Sequence, residues 1–175
     1  MAPAPYFAND VEILNYALTL EHLEADFYQK VVNIYFAVLS AKELADFTAI
    51  RDHEVAHVDY LIAGITQAGG TPVKPRQSYD FSPIGNIATR EGILKIANVL
   101  EPTGVGAYDG VAHEIQNKAY LAVAGSIVQI EARHAARIKA IIDPSANPVP
   151  LAFEATLRPA DVIAAITPLL GPEQQ

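Results

Sequence analysis

The sequence predicts an all-α protein, a four-helix bundle with a long crossover between its second and third helices and a short C-terminal helix. Three features predict this fold. Apolar residues recur at alternating spacings of three and four along four long stretches, the pattern of bundle helices. An aperiodic segment rich in Gly, Pro, Ser and Thr separates the second stretch from the third. Two Glu-x-x-His tetrads, beginning at Glu54 and Glu131, each follow a lone glutamate at a similar distance.

Length and composition predict one domain. The chain has 175 residues, 51% of them hydrophobic, which is enough for one core. We therefore expect a single domain over residues 1–175, with the bundle at about 9–142 and a tail at 143–175. A formal charge of −8 without a basic run argues against nucleic acid or an anionic membrane surface as a partner. The absence of cysteine leaves histidine and carboxylate side chains as metal ligands.

The termini and the hydropathy of the chain bear on its location and assembly. No apolar stretch is long enough to cross a membrane, and Met1-Ala-Pro-Ala-Pro lacks the basic and apolar regions of a signal peptide. We expect a soluble protein, either cytoplasmic or an exported mature form. A homodimer is a possible assembly, since long bundles with apolar tails often pair.

The first two helices are predicted to form an antiparallel pair. The first covers about residues 10–37, with Asn9 or Asp10 as its N-cap. The second covers about residues 41–68, with Ser40 at the N-cap position and Gly69-Gly70 ending it. The turn between the helices is short, which favours antiparallel pairing.

The next segment, at about residues 69–83, predicts the crossover. At ~3.3 Å per extended residue, its ~15 residues reach ~50 Å, whereas a helix of ~27 residues is only ~40 Å long. The segment can therefore run the length of the bundle and begin a third helix parallel to the second. The alternative is a mobile surface loop. The remaining helices are predicted at about residues 89–113 and 118–142, and the short C-terminal helix, at about 159–170, is expected to pack outside the bundle.

Six charged or titratable residues fall on the apolar stripes that should face the bundle core. These residues are Glu21, Glu54, His57, Glu101, Glu131 and His134. A buried carboxylate costs several kcal/mol unless it is paired or bound to a cation, so the pattern predicts two divalent metal ions. Carboxylates with one imidazole for each metal favour Fe and/or Mn over Mg or Ca. The alternative, buried salt bridges to Arg133, Arg137 or Lys95, is less favoured because those cations lie off the stripes.

Three further residues are candidates for a catalytic role beside this site. Tyr28 and Tyr108 each lie seven residues, or two helical turns, after a lone glutamate, so both hydroxyls should point toward the metals. Each could hydrogen-bond a ligating carboxylate of the opposite helix or serve only as a core aromatic. Glu24 lies one turn after Glu21 and could be a seventh carboxylate, a proton relay or a solvated neighbour.

The segment after Glu101 is poor helix material. Pro102 removes a backbone hydrogen bond and two glycines weaken the next turn, so we expect a kink or bulge there. Gly104 and Gly106 could leave space for oxygen or peroxide, or could let helices approach closely. The remaining histidines, at positions 22, 53 and 113, are expected at the surface or at helix ends.

Three segments of the chain resemble the ferritin-like superfamily. These are Leu20-Glu-His-Leu-Glu-Ala-Asp-Phe-Tyr28, His53-Glu-Val-Ala-His57 and Ile130-Glu-Ala-Arg-His134. The resemblance covers about residues 9–142 and is strongest to the ferritin-like domain group that includes desiccation-related proteins. The chain differs from rubrerythrins, which have a similar ligand set, because it lacks their cysteine-based iron centre and carries Gly104 where they have an additional glutamate.

The resemblance implies a ligand assignment in which two glutamates bridge the metals. Glu54 and Glu131 would be the bridges, Glu21 and His57 would complete one metal site, and Glu101 and His134 would complete the other. The leading hypothesis is a di-metal protein that reacts with a small oxidant, hydrogen peroxide or oxygen, in oxidative or desiccation stress. The alternatives are a non-enzymatic metal-binding or iron-sequestering stress protein and a di-metal oxidase of an organic substrate.

Overall fold

Five α-helices make up the structure, a computed structural model that describes residues 5–174. They are α1 (Asp10–Asn33), α2 (Ala41–Gln67), α3 (Arg90–Val111), α4 (Lys118–Ile142) and α5 (Pro159–Ile166). The all-α bundle predicted from the sequence is confirmed, and the described residues contain isolated β-bridges but no named strand. The first four residues of the N-terminal Ala/Pro segment lie outside the described residues. No helix in residues 5–174 is long and apolar enough to cross a bilayer.

Side-chain caps set the helix starts close to the predicted positions. Asn9 accepts a hydrogen bond from the Glu12 amide at the start of α1. Ser40 and Glu43 form a reciprocal capping box at the start of α2, in which each side chain accepts from the backbone amide of the other residue. At the other end of α2, Gly69 adopts a φ of 77° and donates its amide to the Thr66 carbonyl, which produces a Schellman ending.

The first helix is shorter than predicted. It ends at Asn33, and a 3-10 turn at Phe36–Val38 leads into the Ser40 cap. Ile34 and Phe36, just beyond its end, are exposed. The chain therefore leaves the bundle core earlier than predicted and turns to place Ser40 at the start of α2.

The connection between α2 and α3 is a packed crossover. Glu43, near the start of α2, forms an ion pair with Arg90, the first residue of α3, so both helices begin at the same end of the bundle. Tyr79 and Phe81 are buried, and the Phe81 ring meets the Phe27 ring edge-on at 5.2 Å. Because these aromatic side chains enter the core, the segment is an ordered crossover and the alternative of a mobile loop is wrong.

The tail packs on the outside of the bundle, as predicted. Val162 and Ile166 of α5 are buried, and α5 contacts α3. The helical part ends at Ile166 and a 3-10 turn, Thr167–Leu169, follows it. Backbone hydrogen bonds then join the tail to the crossover, including 2.9 Å from the Asp80 amide to the Leu169 carbonyl.

Candidate metal centre

The six residues predicted to face the core all do so. Glu21, Glu54, Glu101 and Glu131 are each 0% exposed, and the two histidines of the tetrads are buried beside them. Each of the four long helices contributes a glutamate, because the stripe that buries its apolar residues carries the carboxylate into the same core. The salt-bridge alternative is wrong for the cations considered: Arg133 and Lys95 are exposed, and Arg137 pairs with Asp46.

The buried side chains form two groups that could each hold a metal ion. One consists of Glu21, Glu54, His57 and Glu131, and the other of Glu54, Glu101, Glu131 and His134. Within each group, the ligand atoms all lie within 4.8 Å of one another. Glu54 and Glu131 belong to both groups, which is the arrangement that bridging carboxylates require.

Glu54 presents one carboxylate oxygen to each histidine. Its Oε2 lies 3.1 Å from Nδ1 of His57 and its Oε1 lies 2.9 Å from Nδ1 of His134. His57 Nδ1 is also 3.2 Å from Glu21 and from Glu131, whereas His134 Nδ1 is 3.4 Å from Glu101. Both imidazoles therefore point their Nδ1 atoms inward, between carboxylates of different helices.

Several inward-facing atoms of this cluster make no hydrogen bond of suitable geometry, although Glu54 Oε1 and His134 Nδ1 lie only 2.9 Å apart. They are Glu54 Oε1, Glu101 Oε2, both carboxylate oxygens of Glu131, and His134 Nδ1. Buried polar atoms are normally satisfied, so a convergent set of unpaired carboxylate oxygens needs another source of positive charge. Divalent ions supply such charge, and oxygen and imidazole ligands suit Fe and Mn. The donor set and its unpaired atoms thus fit two metal ions.

Protonation balances part of the negative charge when no metal ion is bound. Burial and the charges of Glu54 and Glu21 hold the pKa of Glu131 well above its ordinary value. Burial also raises the pKa of Glu21, to about 7. Burial acts in the same direction on Glu54, but its contacts with the two imidazoles outweigh burial and bring the pKa to about 2.

The histidines hold protons in that state. Burial lowers the pKa of His57, but its contacts with Glu131, Glu21 and Glu54 prevail and raise it to about 12. Burial likewise opposes the contacts of His134 with carboxylates, which raise its pKa to about 10. Two imidazolium groups therefore partly neutralise the glutamates, and a metal ion would displace those protons.

Each candidate tyrosine is hydrogen-bonded to the lone glutamate of the other helix. The Tyr108 hydroxyl of α3 donates to Oε1 of Glu21 at 2.5 Å, and the Tyr28 hydroxyl of α1 donates to Oε1 of Glu101. Both tyrosines are buried, at 5% and 0% exposure. Each hydroxyl occupies one carboxylate oxygen and so directs the other oxygen of the same glutamate toward the cluster.

Comparison with known proteins assigns the family. The model of the ferritin-like domain matches residues 9–144, most of the chain. The chain belongs to the ferritin-like domain family. Among solved structures, it is similar to a crystal structure of the conserved hypothetical protein rv2844 from Mycobacterium tuberculosis, with 17% identity and a TM-score of 0.66 over 75% of this chain and 96% of that chain. That likeness shows the fold alone.

The comparisons do not identify a subgroup of the ferritin-like domain family for this chain. No curated protein matches the chain. The narrower likeness to desiccation-related proteins therefore stays a prediction.

Glu24 is a further buried carboxylate of this ferritin-like centre. It is 3% exposed, so it is not a solvated neighbour. Burial and the charge of Glu131 hold its pKa well above the ordinary value. A Cβ atom on Gly104 would lie 3.3 Å from Glu131 Oε2 and 3.4 Å from Glu24 Oε1. Gly104 and Glu24 stand at equivalent positions, three residues after Glu101 and Glu21, and the missing side chain of one makes room for the carboxylate of the other.

The other glycine considered in α3 serves a different purpose. A Cβ atom on Gly106 would lie 2.6 Å from Cγ of Leu157, and the Gly106 carbonyl accepts a 2.9 Å hydrogen bond from the Leu157 amide. Gly106 therefore admits the tail, and the idea that it leaves space for an oxidant is wrong. Of the kink or bulge expected after Glu101, the bulge is not present, since α3 continues as one α-helix through Pro102.

Two histidines expected at the surface have structural partners. His22 is buried, and its Nε2 lies 3.1 Å from the Val73 carbonyl of the crossover. His53 is exposed at its edge but stacks on His134, with Nδ1 of His53 2.9 Å from Nε2 of His134. Sequence reasoning missed His53 as a neighbour of the centre, although it lies one turn before His57. His113 is exposed, as predicted.

Proposed function

We propose that this ferritin-like protein binds two Fe and/or Mn ions and reacts with hydrogen peroxide or oxygen, in protection against oxidative or desiccation stress. The observation that carries the proposal is the pair of four-residue groups that share Glu54 and Glu131. In this proposal, Glu21 and His57 complete one metal site, and Glu101 and His134 complete the other. Two adjacent redox-active ions, when bound, would supply the electrons for reducing the oxidant.

The surrounding residues would position the ligands and manage protons. Tyr28 and Tyr108 hold one oxygen of Glu101 and Glu21, which limits how those carboxylates rotate. Glu24 would act as an additional carboxylate or as a proton relay, because it is buried on the side of the centre that Gly104 leaves open. These three residues are the proposed catalytic group.

Metal analysis and turnover together test the proposal. Wild-type protein should contain about two metal ions for each chain and consume peroxide or oxygen. Glu54→Ala removes a side chain shared by both groups, so it should lose both ions and the activity. Glu91→Ala is the matched control because Glu91 is an exposed glutamate of α3. The proposal would be refuted if the wild-type protein bound no metal. It would also be refuted if metal-loaded wild-type protein consumed peroxide and oxygen no faster than Glu54→Ala.

A non-enzymatic metal protein is the second candidate, and the closure of the centre favours it. The four ligand glutamates are fully inaccessible, as in structural sites that lack an open coordination position. In that case, metal removal should lower Tm strongly while turnover of the loaded protein stays at background. An oxidase of an organic substrate is less supported, since the apolar cavity beside Tyr108 has a volume of only about 20 Å³.

A further inference from the structure

A small cavity lies in the bundle core next to the candidate metal centre. It has a volume of about 20 Å³, and side chains of all four long helices line it. The surface that these side chains present to the cavity is almost entirely apolar. Such a volume holds about one molecule of the size of water, but a water molecule needs polar partners that this lining does not offer.

The helical register places the cavity directly against the centre. Ala17 precedes Glu21 by four residues, Leu61 follows His57 by four, and Ile127 precedes Glu131 by four. These separations correspond to about one helical turn, or ~5.4 Å, on each helix. Because α1 and α4 run opposite to α2, all three lining residues lie on the same side of the ligands. Tyr108, which also lines the cavity, joins it to Glu21 through its hydroxyl.

The apolar lining of the cavity suits one of the two proposed oxidants, hydrogen peroxide and dioxygen, better than the other. Hydrogen peroxide carries hydrogen-bond donors and acceptors. On entering this cavity it would give up its hydrogen bonds to water and form none with the lining. Dioxygen is apolar and diatomic, so it loses no hydrogen bonds on entry. An apolar space of this size one turn from the ligands therefore favours dioxygen.

We propose that this cavity is the dioxygen-binding site of the protein, next to the metal centre. The proposal rests on the proposed function and narrows its oxidant from peroxide or oxygen to oxygen. Entry would occur between α2 and α4, since the lining residues Gly64 and Val123 on these helices are only partly buried.

Gly64 offers a way to close the cavity. A Cβ atom at this position meets no other atom within 4 Å, so a larger side chain can be added without a clash at its base. Gly125, an interior glycine of α4, also has nothing within 4 Å of such an atom and does not line the cavity. Gly64→Leu and Gly125→Leu are thus a matched pair, because both make the same change in the interior of a helix.

Methyl NMR under dioxygen tests the site without any turnover. Dioxygen is paramagnetic and shortens the relaxation times of nearby methyl groups. In the full chain, metal-free or loaded with diamagnetic zinc, the methyls of Leu61 and Ile127 should show at least about twofold more enhancement than the equally buried Ile96. Gly64→Leu should reduce the excess to the level of Ile96, and Gly125→Leu should preserve it. Equal enhancement at the cavity methyls and Ile96 in wild type would overturn the proposal.

A second variant closes the cavity from another helix, because the leucine of Gly64→Leu would not fill the cavity if it turned toward solvent or disturbed the fold. Ala124→Val adds two methyl groups from the buried side of α4, also in the cavity lining. Persistence of the excess in both Gly64→Leu and Ala124→Val, with Tm values showing folded protein, would contradict the assignment. Loss of the excess in either folded variant supports it.

Reaction rates distinguish this proposal from the proposed function. Protein loaded with Fe(II) is mixed with dioxygen or with hydrogen peroxide, and iron oxidation is followed. Gly64→Leu should slow the reaction with dioxygen by about fivefold or more and change that with peroxide less than about twofold, because only dioxygen needs the apolar space. Equal slowing of both reactions would contradict the dioxygen assignment. A chain that binds no iron would refute the proposed function, while the NMR result would still decide the cavity.

Discussion

His53 Nδ1 lies 2.9 Å from Nε2 of His134, and the two rings stack with their planes 6° apart. Because contacts with Glu101 and Glu54 raise the pKa of His134 to about 10, both of its ring nitrogens are protonated at neutral pH, and Nε2 can donate to Nδ1 of His53. His57 has no such partner among residues 5–174, although it stands in the equivalent tetrad position. The two halves of the centre therefore differ in what orients their imidazoles.

This contact predicts that His53→Ala weakens one metal site more than the other. Loss of a residue that orients a ligating imidazole typically lowers metal affinity by about tenfold or more. The effect should fall on the site of His134 and leave that of His57 nearly unchanged. Calorimetric titration with Mn²⁺ resolves the two steps. His113→Ala, which changes an exposed histidine, is the control; equal titrations of His53→Ala and wild type would argue against the orienting role.

The crossed tyrosine contacts predict opposite effects for two conservative changes. Tyr28→Phe removes the hydroxyl that donates to Glu101, and Tyr108→Phe removes the one that donates to Glu21. Each change should weaken the site of the glutamate it releases by about tenfold, because an unheld carboxylate must be ordered on binding. Stepwise metal titration of both variants measures this. If both variants weakened the same site, the pairing of tyrosine with glutamate would not govern affinity.

Metal binding should release protons at pH 7. The pKa values of His57 and His134 in the metal-free protein are about 12 and about 10, so both imidazoles are protonated at neutral pH and must lose a proton to ligate. Affinity should therefore rise with pH through both pKa values, up to about 12, and fall as the pH drops. Calorimetry in two buffers of different ionisation enthalpy counts the protons, and we expect at least two for each chain, two from the imidazoles and the rest from Glu21 and Glu131, whose pKa values are also raised. A binding enthalpy independent of the buffer would contradict this prediction.

Glu43 should stabilise the fold in a pH-dependent way. Its hydrogen bond from Arg90 lowers its pKa to about 2, from an ordinary value of 4.5. Because the folded pKa is the lower one, the stabilisation is fully present above pH 4.5 and is lost as the pH falls toward 2. Glu43→Ala, which also removes the capping box, should reduce the free energy of unfolding by about 1–2 kcal/mol at pH 7.

Denaturant unfolding at several pH values checks the Glu43 prediction. The difference between Glu43→Ala and wild type should shrink below pH 4.5, and the exposed Glu154→Ala should show no such trend. A difference that stays constant down to pH 2 would mean that the charge of Glu43 is not responsible.

Docking of the tail should depend on Gly110. A Cβ atom there would lie 1.9 Å from the Leu157 carbonyl oxygen, so Gly110→Ala must push the tail away from α3. We expect a loss of about 1–3 kcal/mol in unfolding free energy, as for other overpacked sites, together with faster thermolysin cleavage before Leu157, the tail residue that packs against this glycine. Gly125→Ala has open space and should instead be stabilising by about 0.5–1 kcal/mol. Unchanged proteolysis in Gly110→Ala would show that the tail is held elsewhere.

The sequence predicted the bundle and the burial of its polar cluster because both follow from local periodicity. The stripe that carries Leu14 and Leu18 into the core also carries Glu21, so the burial of this glutamate is as predictable as that of its apolar neighbours. Side-chain caps predicted the starts of α1 and α2 for a similar reason, since polar residues that favour the N-cap, Asn9 and Ser40, directly precede the two helices. The metal-binding roles of the cluster residues remain predictions.

Contacts between residues distant in sequence were beyond the reach of local pattern. Glu24 and Gly104 are complementary only because their helices face each other. Similarly, the sequence leaves open whether Gly106 makes space in the core or lets helices approach closely, whereas in the structure the returning tail at Leu157 occupies the space beside it. The sequence predicts His53 at the surface or at a helix end, because nothing in its neighbourhood along the chain reveals that His134 stacks on it.

The twin tetrads and their lone glutamates by themselves determined that four carboxylates and two imidazoles would converge on one axis, since helical periodicity controls which way each side chain faces. Only the tertiary structure decided that Glu54 presents one oxygen to each histidine, that each tyrosine serves the opposite helix, and that an apolar cavity lies one turn from the ligands. The physical reason is that these features depend on how the helices are rotated and spaced against one another, which packing of the whole core sets.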